Sequence, residues 1–302
     1  MSGYIGRFAP SPTGLLHFGS LLAALASYLD ARAHQGLWLV RIEDLDPPRE
    51  MPGAAAHILR TLERLQLHWD GPVRYQHQQH ERYQAAIDIL LTQQQAYPCS
   101  CSRKQLDQRH VSRGPQGQVY DRYCLTHPPA AGNACAIRLK VEQTRCRFID
   151  RVQGPVEYDF ASLGDVVIKR KDGPFAYQLA VVLDDAEQGI THIVRGSDLL
   201  DSTPWQVSLQ QALALPHPSH AHIPVIVNND GQKLSKQTFA QPLDAKDSSQ
   251  LICAALDCLH HPLPDELRKA PVPEQLAWAV RHWRIAHLPA ELTFHHPYWG
   301  KR

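Results

Sequence analysis

A short apolar run, Tyr4 to Phe8, leads into a turn framed by Gly14 and Gly19. Leu21, Leu25, Tyr28 and Leu29 then recur at helical spacing. Gly36 closes that helix, and Leu37 to Ile42 follows as a second β-rich run. Strand, glycine turn, helix and strand in this order make a right-handed βαβ unit, because a twisted strand feeding a right-handed helix packs back onto its sheet in only that hand. The expected fold class is therefore α/β, with a Rossmann-like doubly wound parallel sheet.

The remaining pattern extends this frame. Helices are expected near Ala54 to Leu67 and Gln79 to Gln95, β-rich runs at Tyr177 to Leu183 and Ile190 to Arg195, a helix over Thr203 to Leu213, and a last strand at His222 to Val227. Residues 98–174, with their cysteines, arginines and short extended runs, read as an insertion. The expected division is 1–97 as the first half of the core, 98–174 as the inserted subdomain, 175–240 as the second half, and 241–302 as a short helical C-terminal segment. With 31 basic and 30 acidic residues the net charge is +1, so any RNA contact must use a local basic face. No apolar run reaches about 18 residues and no charged leader precedes an apolar stretch, which points to a cytoplasmic protein with no membrane partner. Seven cysteines are an odd number, favouring reduced thiols or metal ligands over a disulfide framework.

Two separated segments carry chemistry. His17-Phe18-Gly19-Ser20 opens the first helix, just after Arg7-Phe8-Ala9-Pro10-Ser11-Pro12-Thr13-Gly14. Lys233-Leu234-Ser235-Lys236-Gln237 follows the Pro/Asn/Asp/Gly-rich stretch from His222. Attack of a carboxylate on ATP between its α- and β-phosphates needs donors placed around a five-coordinate phosphorus. His17 can donate to a phosphate oxygen, Gly19 lets adenosine approach the backbone, and the helix N-terminus adds partial positive charge. Lys233 and Lys236 can supply cations. Each segment alone reads as a polar loop or a solvated turn. Neither a Walker-type phosphate loop nor a GxGxxG fingerprint is present, which disfavours P-loop and NAD(P) enzymes.

Together and in this order, the segments resemble the HIGH and KMSKS signatures of the class I aminoacyl-tRNA synthetase family. Arg41-Ile42-Glu43-Asp44-Leu45-Asp46, Tyr177 to Asp185 and Arg195-Gly196-Ser197-Asp198 extend the resemblance to the glutamyl-tRNA synthetase catalytic domain over about residues 3–240. Only about 60 residues follow, too few for the family's anticodon-binding domain, so the chain looks like a truncated paralogue. The resemblance implies tRNA-independent formation of glutamyl-adenylate from L-glutamate and ATP with Mg2+. It further implies transfer of glutamate to the cyclopentene-diol of queuosine, at the wobble position in the anticodon stem-loop of tRNA(Asp). Carried over by position, Arg7, Ala9, Ser11, Glu43, Tyr177 and Arg195 surround the glutamate, and His17, Gly19, Lys233 and Lys236 the ATP, with His17, Gly19 and Lys236 catalytic. Arg195 suits the side-chain carboxylate and Glu43 the α-ammonium. As ordinary structure, Arg7 and Glu43 could instead pair with each other across adjacent strands. The chain departs from the signatures at Ser20, Leu234 and Gln237. The alternatives are a shortened glutamyl-tRNA synthetase charging the 3′ end of tRNA(Glu), and a zinc-dependent RNA-binding module with a vestigial adenylation site.

Cys99, Cys101 and Cys124 in one insertion suit a single structural zinc, which takes four ligands. Tyr120, Tyr123, His110 and His127 are candidates for the fourth. The resemblance points to Tyr120, through its Tyr-x-x-x-Cys spacing. Cys135, Cys146, Cys253 and Cys258 read as buried thiols. Arg103, Lys104, Arg109, Arg113 and Arg122, with Lys169, Arg170 and Lys171, give a local basic bias suited to RNA phosphates or to a solvated face. The chain is expected to act as a monomer.

Overall fold

The computed structural model describes residues 3–227, 243 and 247–295. In chain order, β1 (Ile5–Phe8), α1 (Phe18–Ala33), β2 (Leu37–Ile42), α2 (Ala54–Arg64), β3 (Arg74–Tyr75) and α3 (His80–Thr92) form the first half. A smaller region carries β4 (Ala96–Cys99), α4 (Arg103–Gln108), β5 (Arg113–Gly114), β6 (Gly117–Gln118), α5 (Tyr123–Thr126) and β7 (Ala136–Leu139). Then come β8 (Arg145–Asp150), β9 (Gly154–Asp159), β10 (Val167–Lys169), α6 (Tyr177–Glu187), β11 (His192–Gly196), α7 (Thr203–Ala212), β12 (Ser219–Ile223) and β13 (Val225–Val227). The chain closes with α8 (Ser248–Cys258), α9 (Val272–His282) and β14 (Thr293–His295).

β1, β2 and β3 are parallel in that spatial order, Ile5 facing Leu37 and Arg41 facing Arg74. β11 and β12 are also parallel, with Arg195 opposite His222. The two sets meet where the Thr191 amide donates to the Ile5 carbonyl at 2.9 Å, just before β11. Neighbouring strands with chain order reversing on either side define a switch point, and the crevice beyond their carboxyl ends is where such sheets bind ligands. Phe8 and Gly196 end there. β8 joins β12 in parallel through Asp150 and His220, and β9 returns antiparallel. β4, β7 and β10 make a separate three-stranded antiparallel sheet.

Leu21, Leu22, Leu25 and Leu29 of α1 are buried with Trp38, Val40 and Ile42 of β2. Each such leucine stabilises the fold by about 2 kcal/mol relative to an exposed one. The other side of α1 is covered too, by Ile252, Ala255 and Leu256 of α8 and Ala279 of α9. Asp30, on that covered side, accepts from Arg151 at 2.6 Å, from Trp283 at 3.0 Å and from the Tyr4 hydroxyl. The C-terminal helices are thus part of the core.

Two local expectations are corrected. Tyr177 to Leu183 is not β-rich; it begins α6, an eleven-residue helix. Leu179 to Leu183 are all buried, so no polar stripe reveals the helical period, and a short apolar run reads equally as strand or helix. His222 to Val227 is not one strand. Pro224, which has no N–H to donate, separates β12 from β13, and β13 pairs with β14 instead. Among the described residues, no helix is long and apolar enough to cross a membrane.

Candidate active site

A cavity of about 810 Å³ opens at the switch point. Its lining includes Arg7, Ala9 and Ser11 from the end of β1 and the turn after it, with His17 and Gly19 at the start of α1. Glu43 follows β2, Tyr177 opens α6, and Arg195 is the last residue but one of β11; these three line the same cavity. All eight residues expected around the glutamate and the ATP within the described part of the chain therefore share one space. Lys233, Leu234, Ser235, Lys236 and Gln237 lie outside the described residues.

His17 is the N-cap of α1, and its Nδ1 accepts from the Ser20 amide at 3.3 Å. An accepting Nδ1 in a neutral imidazole leaves the proton on Nε2, where it can be donated. In this contact Ser20 serves through its backbone N–H, which every residue type but proline supplies.

Arg7 and Glu43 do not pair with each other. Arg7 Nε donates to Asp185 Oδ1 at 3.1 Å, and Arg41 Nη1 donates to the same oxygen at 2.8 Å. Arg41 Nη2 then donates to Glu43 Oε1 at 3.2 Å. Burial alone pushes the Asp185 carboxyl up, but the Arg7 and Arg41 charges outweigh it and hold it below the usual carboxylate range. For Glu43 burial dominates, and its carboxyl sits above that range despite Arg41 and Arg7. Arg7 and Glu43 thus line the cavity while Arg41 and Asp185, behind them, hold them in place.

Arg195 differs. It is 4 % exposed, and its guanidinium donates to His222 Nε2 at 2.9 Å, Tyr177 Oη at 3.3 Å, Thr203 Oγ1 at 2.9 Å, Gln206 Oε1 at 2.8 Å and the Leu199 carbonyl at 3.4 Å. Every one of these partners among the described residues is neutral. Burial chiefly, with the Arg7 charge, outweighs the through-space attraction of Asp185 and Glu43 and holds Arg195 below the usual arginine range, so the arrangement gains from receiving an anion.

Asp185, Asp150, His222, Thr203 and Gln206 were not among the expected site residues. Asp184-Asp185 inside an apolar run was a usable signal, since carboxylates are rarely buried without partners. Nothing in the sequence links Asp150 to His222, 72 positions away.

Away from this cavity, the sulfurs of Cys99, Cys101 and Cys124 lie within 4.8 Å of one another. Tyr120 Oη is 3.5 Å from Cys101 Sγ and accepts from the Cys124 amide at 2.9 Å. Burial and hydrogen bonds to the three thiols raise its hydroxyl well above the ordinary range. Burial alone would raise Cys124, but the Tyr120 hydrogen bond leads those that bring its thiol down to about 7. No histidine joins the group among the described residues; Tyr123 and His127 stack on each other at 4.1 Å, in the open. Three closely set thiols are compatible with a soft, four-coordinate metal such as zinc. Much of the basic bias is paired: Arg109 with Asp121, Arg122 with Asp165 and Arg170 with Asp172.

A parallel sheet with its cavity at the switch point, and a histidine capping the first helix, define a doubly wound α/β fold with a ligand-binding crevice. Residues 5–251 match the family model described as tRNA synthetases class I (E and Q), catalytic domain, and the chain belongs to that family. Among relatives, it is 50% identical over 95% of its length to a protein of Vibrio cholerae named glutamyl-Q tRNA(Asp) synthetase, covering 92% of that protein. It is 52% identical, again over 95% of its length and 96% of the other chain, to a protein of the same name from Pseudomonas aeruginosa. Among solved structures, the glutamate tRNA ligase of Elizabethkingia meningosepticum superposes with a TM-score of 0.76 at 24% identity, over 98% of this chain and 67% of that one. The glutamate-tRNA synthetase of Elizabethkingia anophelis gives 0.77 at 23% identity, over 98% and 68%. These two establish likeness of fold.

Proposed function

We propose that the chain activates L-glutamate with ATP and Mg2+, without needing tRNA, and transfers it to queuosine at the wobble position of tRNA(Asp); the name of its relatives, glutamyl-Q tRNA(Asp) synthetase, supports this reading. The observation that carries this reading is Arg195, a buried guanidinium on the cavity wall whose described partners are all neutral. The side-chain carboxylate of glutamate supplies the missing charge. A glutamine amide would not, and leaving the guanidinium uncompensated costs about 3 kcal/mol, roughly 100-fold in selection.

In this reading Glu43 accepts from the α-ammonium, Arg7 and Ser11 line the substrate beside the backbone at Ala9, and the Tyr177 hydroxyl completes the wall. His17 Nε2–H and the N-terminus of α1 face the phosphates, Gly19 leaves room for adenosine, and Lys233 and Lys236 supply cations. An oxygen of the α-carboxylate attacks the α-phosphorus, the bond to the bridging oxygen breaks, and pyrophosphate leaves. A hydroxyl of the cyclopentene-diol then attacks the activated carbonyl, and AMP departs. Cys99, Cys101, Cys124 and Tyr120 would hold one structural zinc within residues 98–174, the segment that would meet the anticodon stem-loop. The protein would act as a cytoplasmic monomer.

Two measurements test this. Arg195→Ala should lower kcat/KM for glutamate-dependent exchange of pyrophosphate into ATP by about 100-fold or more. Labelled glutamate should enter tRNA(Asp) that carries queuosine and not the unmodified tRNA. Charging at the 3′ end of tRNA(Glu) would replace this reading with that of a shortened glutamyl-tRNA synthetase.

A further inference from the structure

Arg195 and His222 are register partners on β11 and β12, and their side chains meet as Nε and Nε2 at 2.9 Å. A guanidinium can only donate, so His222 Nε2 must accept. In a neutral imidazole the proton then belongs on Nδ1, which lies 2.6 Å from Asp150 Oδ2. Burial chiefly keeps the ring neutral, and with the nearby Arg195 charge it outweighs the Asp150 hydrogen bond, bringing His222 down to about 4. Asp150 is itself fixed from behind. Its Oδ1 accepts from the amides of Val152 at 3.0 Å, Gln153 at 2.9 Å and His222 at 3.1 Å. Arg195, His222 and Asp150 are all buried.

We propose that Asp150 and His222 form a tautomer lock that aims the Arg195 guanidinium at the side-chain carboxylate of the amino acid, making both of them positioning residues for substrate selection. The proposal rests on the reading of Arg195 as the carboxylate receptor. An Nε2 lone pair pins the Nε edge of Arg195, while Thr203 and Gln206 hold Nη2. The plane of the fork is then fixed before substrate enters, and a preset donor geometry favours a planar carboxylate over groups of other shape. Sequence reasoning could not find this relay, because it joins strands from distant parts of the chain.

The lock has a specific way to fail. In Asp150→Asn, the three amides on Oδ1 require an oxygen there, so the new NH2 group must take the Oδ2 position and donate to His222 Nδ1. The imidazole proton is then forced onto Nε2, where it opposes Arg195 Nε–H. The change is nearly isosteric. In pyrophosphate exchange, Asp150→Asn should raise the KM for glutamate about 10-fold or more, with kcat and the KM for ATP within about 2-fold. Selection of glutamate over glutamine should fall in parallel.

His222→Gln supplies the control. Its side-chain oxygen can take the Nε2 position and has no tautomer to invert, so the KM for glutamate should stay near that of the parent and become insensitive to Asp150→Asn. His222→Asn reaches only the Nδ1 position and should raise the KM even if Asp150→Asn does not fold. An unchanged glutamate KM in Asp150→Asn, with Arg195→Ala still impaired by about 100-fold or more, overturns the lock alone. An equal penalty from Asp150→Asn when it is combined with His222→Gln also overturns it, since Asp150 would then act only through the loop amides. Normal exchange by Arg195→Ala would instead remove the reading of the receptor itself.

Discussion

Gly36 is held to its identity by what lies against it. A Cβ there would overlap the Tyr4 carbonyl oxygen and stand 2.6 Å from Tyr4 Cβ, backbone that cannot move because the Leu37 amide donates to the same carbonyl at 2.9 Å. Gly36→Ala should therefore destabilise the protein by about 1–3 kcal/mol, read as a lower urea midpoint with an unchanged slope. The sequence marked this glycine as the end of a helix; only the packing shows why alanine cannot replace it. The same gap separates the two readings of Arg7. Its place beside the cavity was legible from the motif, while its partner Asp185 comes from α6, 178 positions on.

At the scale of elements, the segment that carries Cys99, Cys101 and Cys124 has little apolar material of its own. Its core is a small group, Tyr97, Cys99, Leu106, Tyr120 and Cys124, and so compact a cluster rarely holds a loop-rich segment without a staple. Cys101→Ser in the purified protein should abolish one equivalent of bound zinc and expose residues 98–130 to faster amide exchange, with the α1–β2 core still protected. Full protection of that segment without metal would argue for thiols that need no ion. Helix α6 carries the opposite lesson. Its polar groups, Asp184 and Asp185, point to partners on the first half of the core, among them Gln76, Tyr83 and Arg41. No window of sequence displays that, and so the run was legible as apolar without being legible as helix.

At the scale of the whole molecule, buried and half-buried histidines contribute to the response to acid. Burial, the leading cause in each case, lowers His220 and His222 and, to a lesser degree, His192 and His261 below the ordinary imidazole value near 6.5, with His222 at about 4. Between pH 6.5 and 4 the unfolded chain binds protons that the folded one refuses. Stability is thus fully present above 6.5 and declines as pH falls through that window. The urea midpoint should be lower at about pH 5 than at about pH 7.5, and His222→Gln should shrink the difference. An equal midpoint at both values would mean these rings stay accessible to protons in the folded state.

What the sequence determined by itself was local and periodic: the βαβ start, the helix entrance at His17, the cysteine spacing, and the types of side chain gathered near the strand ends. These follow from spacing along one chain segment, where helical and strand periods impose their own signature. Which charges meet was decided only in three dimensions. The sheet brings β1, β11 and β12 side by side from distant segments, Thr191 meeting Ile5 across 186 positions. The pairing of Arg7 with Asp185, the neutral surroundings of Arg195 and the Asp150–His222 contact therefore arise from strand order and register. Hydrogen bonds and Coulomb attraction act through space, and no local pattern records who the partner will be.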